Sequence, residues 1–166
     1  MEKKSDSPFF SPDAMQEERE NLRAQNKTVV FTNGCFDILH VGHVSYLSFA
    51  KQQGDILIVG LNSDQSIKRI KGVYRPVVSE KDRASVLLAL ESVDYVIIFN
   101  EEEPASLIEL LLPDVLVKGE DWAHYVSGRG VVEANGGCVV LAPMVKGHSS
   151  SDIIERIQKY YGAGPR

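Results

Sequence analysis

His40 and His43 stand three residues apart in the run Gly-Cys-Phe-Asp-Ile-Leu-His-Val-Gly-His. On a helix, two imidazoles at that spacing share one face and can point at a single ligand. Gly42 keeps the turn between them bare, so a bulky group can approach the backbone. Just before this run Val29, Val30 and Phe31 read as a buried strand that breaks at Asn33-Gly34 and hands over to the helix carrying both histidines. Such a junction leaves free backbone N–H groups and the positive end of a helix dipole facing one spot, an arrangement suited to phosphate. Taken alone, the histidine pair is equally compatible with two satisfied imidazoles or a metal pair; strand, break and glycine together favour an anion. Cys35 has no cationic neighbour in sequence and is expected to be dispensable for chemistry.

Other charged and hydroxyl groups fit the same ligand. Lys71 and Arg75 lie in a stretch bearing Gly72 and Pro76, with no partner near in sequence. Segment 71–78 is therefore expected to be mobile until it closes over phosphates, the alternative being solvated surface charge. Ser149, Ser150 and Ser151 precede a helical pattern and form either a plain N-cap or a second phosphate cradle. Lys118-Gly119 follows an apolar run, and Asp37 either caps the histidine helix or reaches a metal or an acceptor. No Ser-His-Asp or Cys-His couple is evident. Phosphoryl-type transfer needs positioning and offset charge more than a covalent nucleophile, and this set of side chains matches that need.

Strand patterns at 29–31, 56–61, 95–99, 115–117 and 138–141 alternate with helical patterns at 65–70, 79–90, 104–112, 130–135 and 153–161. This alternation predicts an α/β fold, a single Rossmann-like domain with a five-stranded parallel sheet and helices on both faces. Ligands in such sheets sit beyond the carboxyl ends of the strands. The polar clusters at 33–37, 62–64, 118–122 and 148–151 all fall there. Residues 1–27 form an arm, with Phe9-Phe10 as a docking pair, and a helix over 14–25 whose thin apolar face, Met15 and Leu22, places it on the surface or against a partner subunit. Residues 28–161 form the domain proper, and 162–166 a tail.

The chain has 166 residues, 43% apolar and 25% charged, and suits one soluble domain. Its net charge of −5 argues against nucleic acid held by bulk electrostatics. No run approaches the ~18 apolar residues of a membrane span and no signal peptide is recognisable, so neither membrane nor secretion is expected. Cys35 and Cys138 lie far apart with no CxxC spacing, which fits a reducing, cytoplasmic setting.

The segment GCFDILHVGH closely resembles the HxGH signature of the nucleotidyltransferase superfamily, whose members join a nucleoside monophosphate from ATP or CTP to a phosphate-bearing acceptor and release pyrophosphate. The runs VGLNSDQSIKRIKGVYRPV, DRASVLLALESVDYVIIF, PDVLVKGEDW, VVEANGG and SSSDIIERI extend the resemblance across about 30–157, to the adenylyltransferase domain of bacterial ADP-heptose synthesis. It implies transfer of AMP from ATP to a sugar 1-phosphate, D-glycero-β-D-manno-heptose 1-phosphate. His40, His43 and Lys71 are then implied as catalytic. Thr32, Asn33, Gly34, Phe36, Lys118, Gly119, Ser149, Ser150 and Ser151 would bind nucleotide together with the two histidines. Asp37, Asn62, Asp64, Arg75, Arg83 and Trp122 would serve the acceptor, Arg83 by contact or by ordering the region. Mg²⁺ would enter on the nucleotide phosphates, with no protein cage, and a homo-oligomer is expected.

In many bacteria that domain is fused behind a sugar kinase; no kinase half is present in this sequence, so a stand-alone enzyme fed by a separate kinase is expected. Trp122 stands where tyrosine is commoner, which leaves acceptor identity open. A cytidylyltransferase making a CDP-alcohol such as CDP-glycerol shares HxGH, and a non-catalytic nucleotide-binding protein is the reading from another class. The latter predicts erosion at His40, His43 or Lys71, and all are intact.

Overall fold

The apolar runs assemble as parallel strands, those at the centre covered on both faces and the edge strand at 138–142 only in part. In the computed structural model, which describes residues 10–145 and 147–162, these are β1 (Val29–Gly34), β2 (Ile56–Asn62), β3 (Tyr95–Phe99), β4 (Val115–Gly119) and β5 (Cys138–Ala142). Their order is β3-β2-β1-β4-β5 and every pairing is parallel. The chain runs outward from β1 through β2 to β3, then returns past β1 to add β4 and β5. The switch point thus lies between β1 and β4, where a crevice opens at the strand ends.

Successive side chains of a strand face opposite ways. Val30 accordingly joins Leu47, Leu57, Val59, Ala84 and Leu87 in one apolar layer, while Val29 and Phe31 join Met15, Ile58, Ile108 and Val132 in the other. The first layer is closed by α2 (Val41–Lys51) and α4 (Glu80–Leu88), the second by α1 (Pro12–Ala24), α5 (Ala105–Leu111) and α6 (Arg129–Ala134). The remaining helices are α3 (Asp64–Lys71) and α7 (Ser150–Tyr161). Ser63, Ser79 and Ser149 start α3, α4 and α7 by accepting from Ser66 N, Asp82 N and Asp152 N. Where α2 turns into β2, a Cβ on Gly54 would meet Val30 Cγ2 at 2.7 Å and Thr28 O at 2.8 Å, so only glycine fits. Among the described residues, no helix is long and apolar enough to cross a membrane.

Helix α1 lies on the surface, as its thin face leads one to expect, and Arg19 adds to Met15 and Leu22 in docking it. Arg19 is 1% exposed. Its Nε donates to Leu111 O at 3.1 Å, and its Nη2 donates to Leu112 O and Asp114 Oδ1, each at 3.0 Å. Helix α5 ends in a left-handed residue, Leu112, leaving its last carbonyls without helical donors, and the guanidinium satisfies two of them. Phe10 also docks, pairing with Ile97 and packing edge-on against Tyr95 at 5.1 Å. Phe9, with the rest of the arm through residue 9, lies outside the described residues, as does the tail from residue 163.

Replacing Arg19 by alanine leaves those carbonyls unpaired and is expected to lower stability by about 2–3 kcal/mol. Urea denaturation checks this; a loss below about 0.5 kcal/mol would show that apolar contact alone holds α1.

Candidate functional site

The carboxyl ends of β1, β4 and β5 and the starts of α2 and α7 enclose a cavity of about 360 Å³. His40 does not ride on the helix, as the sequence pattern suggests, but caps it. Its backbone is extended (φ −144°) and its Nδ1 accepts from Gly42 N at 3.1 Å. An imidazole placed to satisfy a free helix N–H replaces the first helical turn, so α2 begins at Val41. With Nδ1 accepting, the neutral ring carries its proton on Nε2 and can donate it to a ligand. His43 lies in the first turn of α2 and stacks on His40, centroids 3.8 Å apart and 25° between planes, with Phe36 edge-on at 5.2 Å.

Burial and neighbouring charge shift the titration of the groups that line this cavity. Burial first, then the neighbouring His40 and Lys71, push the His43 imidazole down to about 4, and its buried Nδ1 has no hydrogen-bond partner. His40 is lowered by burial and by His148, with Asp152 acting the other way. Burial pushes Lys118 down to about 8, opposed by Asp121, Glu103 and Cys35. Its ammonium donates to Asn33 Oδ1 at 2.6 Å and lies 5.7 Å from the Trp122 ring centroid. Groups that resist protonation while crowded together are ones an arriving polyanion would charge.

Helix α7 begins at Ser150, three residues earlier than expected, because Ser149 takes the cap. Ser150 Oγ donates to Ile38 O at 3.2 Å, which ties the start of α7 to the segment leading into His40. Two helix starts therefore face the cavity, lined by Gly42 and His43 from one and by Ser149, Ser150 and Ser151 from the other.

The structure gathers His40, His43, Lys71, Asn33, Gly34, Phe36, Arg75, Lys118, Gly119, Trp122 and the three serines around this cavity. Asn62 lines a second cavity of about 380 Å³, which shares Asn33, Gly34, Cys35, Lys71, Lys118 and Trp122 with the first. Thr32, Asp37, Asp64 and Arg83 line neither; their side chains are engaged in the protein. The Thr32 hydroxyl lies 2.6 Å from Tyr46 Oη and donates to Val117 O at 3.0 Å. Asp37 is 3% exposed and neither caps α2 nor faces the cavity. It accepts from Arg75 Nε at 2.6 Å, Val77 N at 2.8 Å and Val78 N at 3.0 Å. Burial works to raise its carboxyl, but those donors together hold it below the usual carboxylate range.

Arg75 is thus paired with Asp37, contrary to the expectation that its charge has no partner within the chain, and segment 71–78 is tied to Asp37 through Arg75, Val77 and Val78. Lys71 is different, since it ends α3 and lines both cavities.

Asp121 and His148 fall within the polar clusters 118–122 and 148–151 but were given no role from the sequence, and Tyr46 and Met144 were not singled out; all four also line the first cavity. His148 carried a signal in its place just before the serine run. Tyr46 reads as a helix-face aromatic, and its approach to Thr32 requires the tertiary packing of α2 on β1. Among the described residues, no three His, Cys, Asp or Glu side chains gather to hold a metal, and Asp121 is the one carboxylate lining the first cavity. Cys35 and Cys138 are free thiols.

The sequence matches the cytidylyltransferase-like family over residues 31–156. It is 50% identical over 160 residues to bifunctional protein HldE of Syntrophotalea carbinolica, covering 96% of this chain and 33% of that one. The protein of the same name from Geobacter sulfurreducens is 55% identical over 141 residues, covering 84% and 29%. The chain therefore spans about a third of the length of these curated relatives. A solved structure, the lipopolysaccharide core biosynthesis protein from Thermoplasma volcanium, superposes with a TM-score of 0.59 at 28% identity, covering 74% of this chain and 99% of that one.

The unfolded histidine titrates at about 6.5 and His43 in the folded chain at about 4. Between those values the unfolded chain holds more protons, so His43 makes stability fall as pH falls through that window. A polyphosphate reverses the preference, and ATP binding at pH 6.5 is expected to take up protons. Calorimetry in two buffers of unlike ionisation enthalpy measures the uptake, which should shrink in His43→Ala; identical heats in both buffers would contradict this electrostatic account.

Proposed function

The chain belongs to the cytidylyltransferase-like family, and from that premise we propose that it transfers AMP from ATP to a sugar 1-phosphate, D-glycero-β-D-manno-heptose 1-phosphate, giving ADP-heptose and pyrophosphate. The observation that carries this reading is the wall shared by the two cavities, where Asn33, Lys71 and Lys118 stand between the histidine side and the Asn62 side. Two substrates seated on either side meet there. The acceptor's segment-by-segment resemblance is supported by relatives about 50% identical that are called bifunctional, and of which this chain matches one third.

The attacking group is a phosphate oxygen of the acceptor, already ionised at neutral pH, so no general base is required. That oxygen bonds to the α-phosphorus, the bond to the bridging α–β oxygen breaks, and pyrophosphate departs with the electron pair. The His40 Nε2 proton and His43 donate to phosphate oxygens, and the start of α7 holds the distal phosphates. Lys71 and Lys118 offset charge on the transferring group. The cationic lining, with a single carboxylate, fits Mg²⁺ carried in on the nucleotide rather than a protein cage. Magnesium supplies further charge neutralisation when bound. A cytosolic setting and a homo-oligomer belong to the same proposal; Ile157, Tyr160 and Tyr161 on α7 are 51%, 60% and 82% exposed and offer a face for a second copy.

Pyrophosphate release from ATP or CTP, paired in turn with heptose 1-phosphate, other sugar 1-phosphates and glycerol 3-phosphate, tests the reading directly. Release is expected with ATP and heptose 1-phosphate; preference for CTP with glycerol 3-phosphate would replace it with CDP-alcohol synthesis. His40→Ala and His43→Ala should each lower kcat by roughly 10²–10³ with a much smaller change in nucleotide affinity, because donors that tighten in the transition state act on rate. Near-native turnover in both variants under saturating ATP would remove the histidines from the reaction.

Lys71→Ala should behave likewise in single-turnover measurements. An unchanged rate would mean that Lys118 and the bound metal meet the charge without it.

A further inference from the structure

The second cavity carries charges of both signs. Lys71 and Lys118 stand on the shared wall, and Glu102 and Glu103, from the segment before α5, also line it; Glu102 pairs with Arg69 at 3.7 Å, and Glu103 lies near enough to Lys118 to favour its charged form. Carboxylates repel a phosphate and have no use in seating a second anion there. They are strong acceptors, however, for hydroxyl groups. Asn62 adds another acceptor. It is 3% exposed, its Nδ2 donates to Ser66 Oγ at 3.0 Å, and no donor among the described residues reaches its Oδ1. Tyr125 Oη donates to Glu103 Oε2 at 2.8 Å and so steadies that carboxylate, leaving its other oxygen for a ligand.

An ammonium head would also suit carboxylates beside aromatic rings. Against it, the Lys118 ammonium already lies over the Trp122 ring, and a further cation there would be repelled.

Resting on the transferase reading above, we infer that this cavity reads a hydroxyl-rich acceptor by its uncharged end. Glu103 and Asn62 Oδ1 accept from the hydroxyls, while Lys71 and Lys118 draw the phosphate to the shared wall. Glu103 is then a specificity-determining residue and Tyr125 the residue that positions it.

Calorimetric titration with D-glycero-β-D-manno-heptose 1-phosphate, inorganic phosphate and phosphocholine, for wild type and the exposed-site variant Glu103→Ala, tests the inference. The sugar phosphate should bind wild type about tenfold or more tighter than inorganic phosphate, the discrimination expected of one charge-assisted hydrogen bond. Glu103→Ala should remove most of that margin while affinity for inorganic phosphate and KM for ATP stay within about twofold. Tyr125→Phe should narrow the margin less. Equal binding of sugar phosphate and phosphate, tighter binding of phosphocholine, or a margin indifferent to Glu103 would each overturn it. The two readings separate cleanly. Wild-type pyrophosphate release with a neutral Glu103→Ala sinks this inference alone, whereas a Glu103-dependent margin without release from any substrate pair sinks the transferase reading.

Discussion

The site depends on one buried guanidinium. Arg83 is 2% exposed and spends its donors on four separate segments. Its Nε donates to Val78 O at 2.9 Å, its Nη1 to Cys35 O at 2.6 Å and Asn62 O at 2.9 Å, and its Nη2 to the Asp64 carboxylate at 2.7 Å. These partners are the turn after β1, the end of β2, the start of α3 and the entry to α4. Parallel strands give their carboxyl ends no neighbouring hairpin to fix them, so the loops there need some other tie. A planar group with several fixed donors satisfies carbonyls that would otherwise be buried unpaired. Lysine could not reach all four. The resemblance allowed Arg83 either to touch the acceptor or to order the region; the geometry supports the second.

Asp37 repeats the device from the other side, drawing Arg75 and two backbone N–H groups of the 72–79 stretch onto the turn after β1. The framework around the phosphate site is thereby built from ion pairs that face inward. Of the groups facing the cavity, His40 accepts from Gly42 N and stacks on His43, and Lys118 donates to Asn33, but none of His40, His43, Lys71 and Lys118 forms an ion pair with a carboxylate among the described residues. That division suits nucleotidyl transfer. Charge needed by the ligand is held back from internal pairing, and the donors lose little reorganisation when the polyphosphate arrives.

Much of this was legible in the sequence because the relevant signals are local. Apolar runs of strand length, serine caps at 63, 79 and 149, and the glycine that ends β1 act within a few residues, whereas the strand order comes from the structure alone. Residues 149–151 could be placed at the site because strand ends in such sheets converge, and Lys71 because its segment resembles the cationic loop of the superfamily. Long-range pairings could not be read the same way. Arg19, in a helix that looks solvated, satisfies carbonyls ninety-odd positions away, and Arg75 finds Asp37 across 38 residues. The cap role of His40 was hidden for a different reason: histidine is not among the residues usually seen at helix starts, so periodicity alone extends the helix through it. Glu103 and Tyr125 read as ordinary surface residues until the fold brings β2, β4 and the segment before α5 around one cavity.

The central claim is that two substrates meet at the wall formed by Asn33, Lys71 and Lys118, and that one phosphate oxygen attacks the other's α-phosphorus with no protein nucleophile between them. The most direct measurement is the stereochemical course at that phosphorus, using one diastereomer of ATP bearing sulfur on the α-phosphate with heptose 1-phosphate as acceptor. A single in-line displacement predicts inversion of configuration in the sugar nucleotide formed. Retention would require two successive displacements through a nucleotidylated side chain, and would contradict the account.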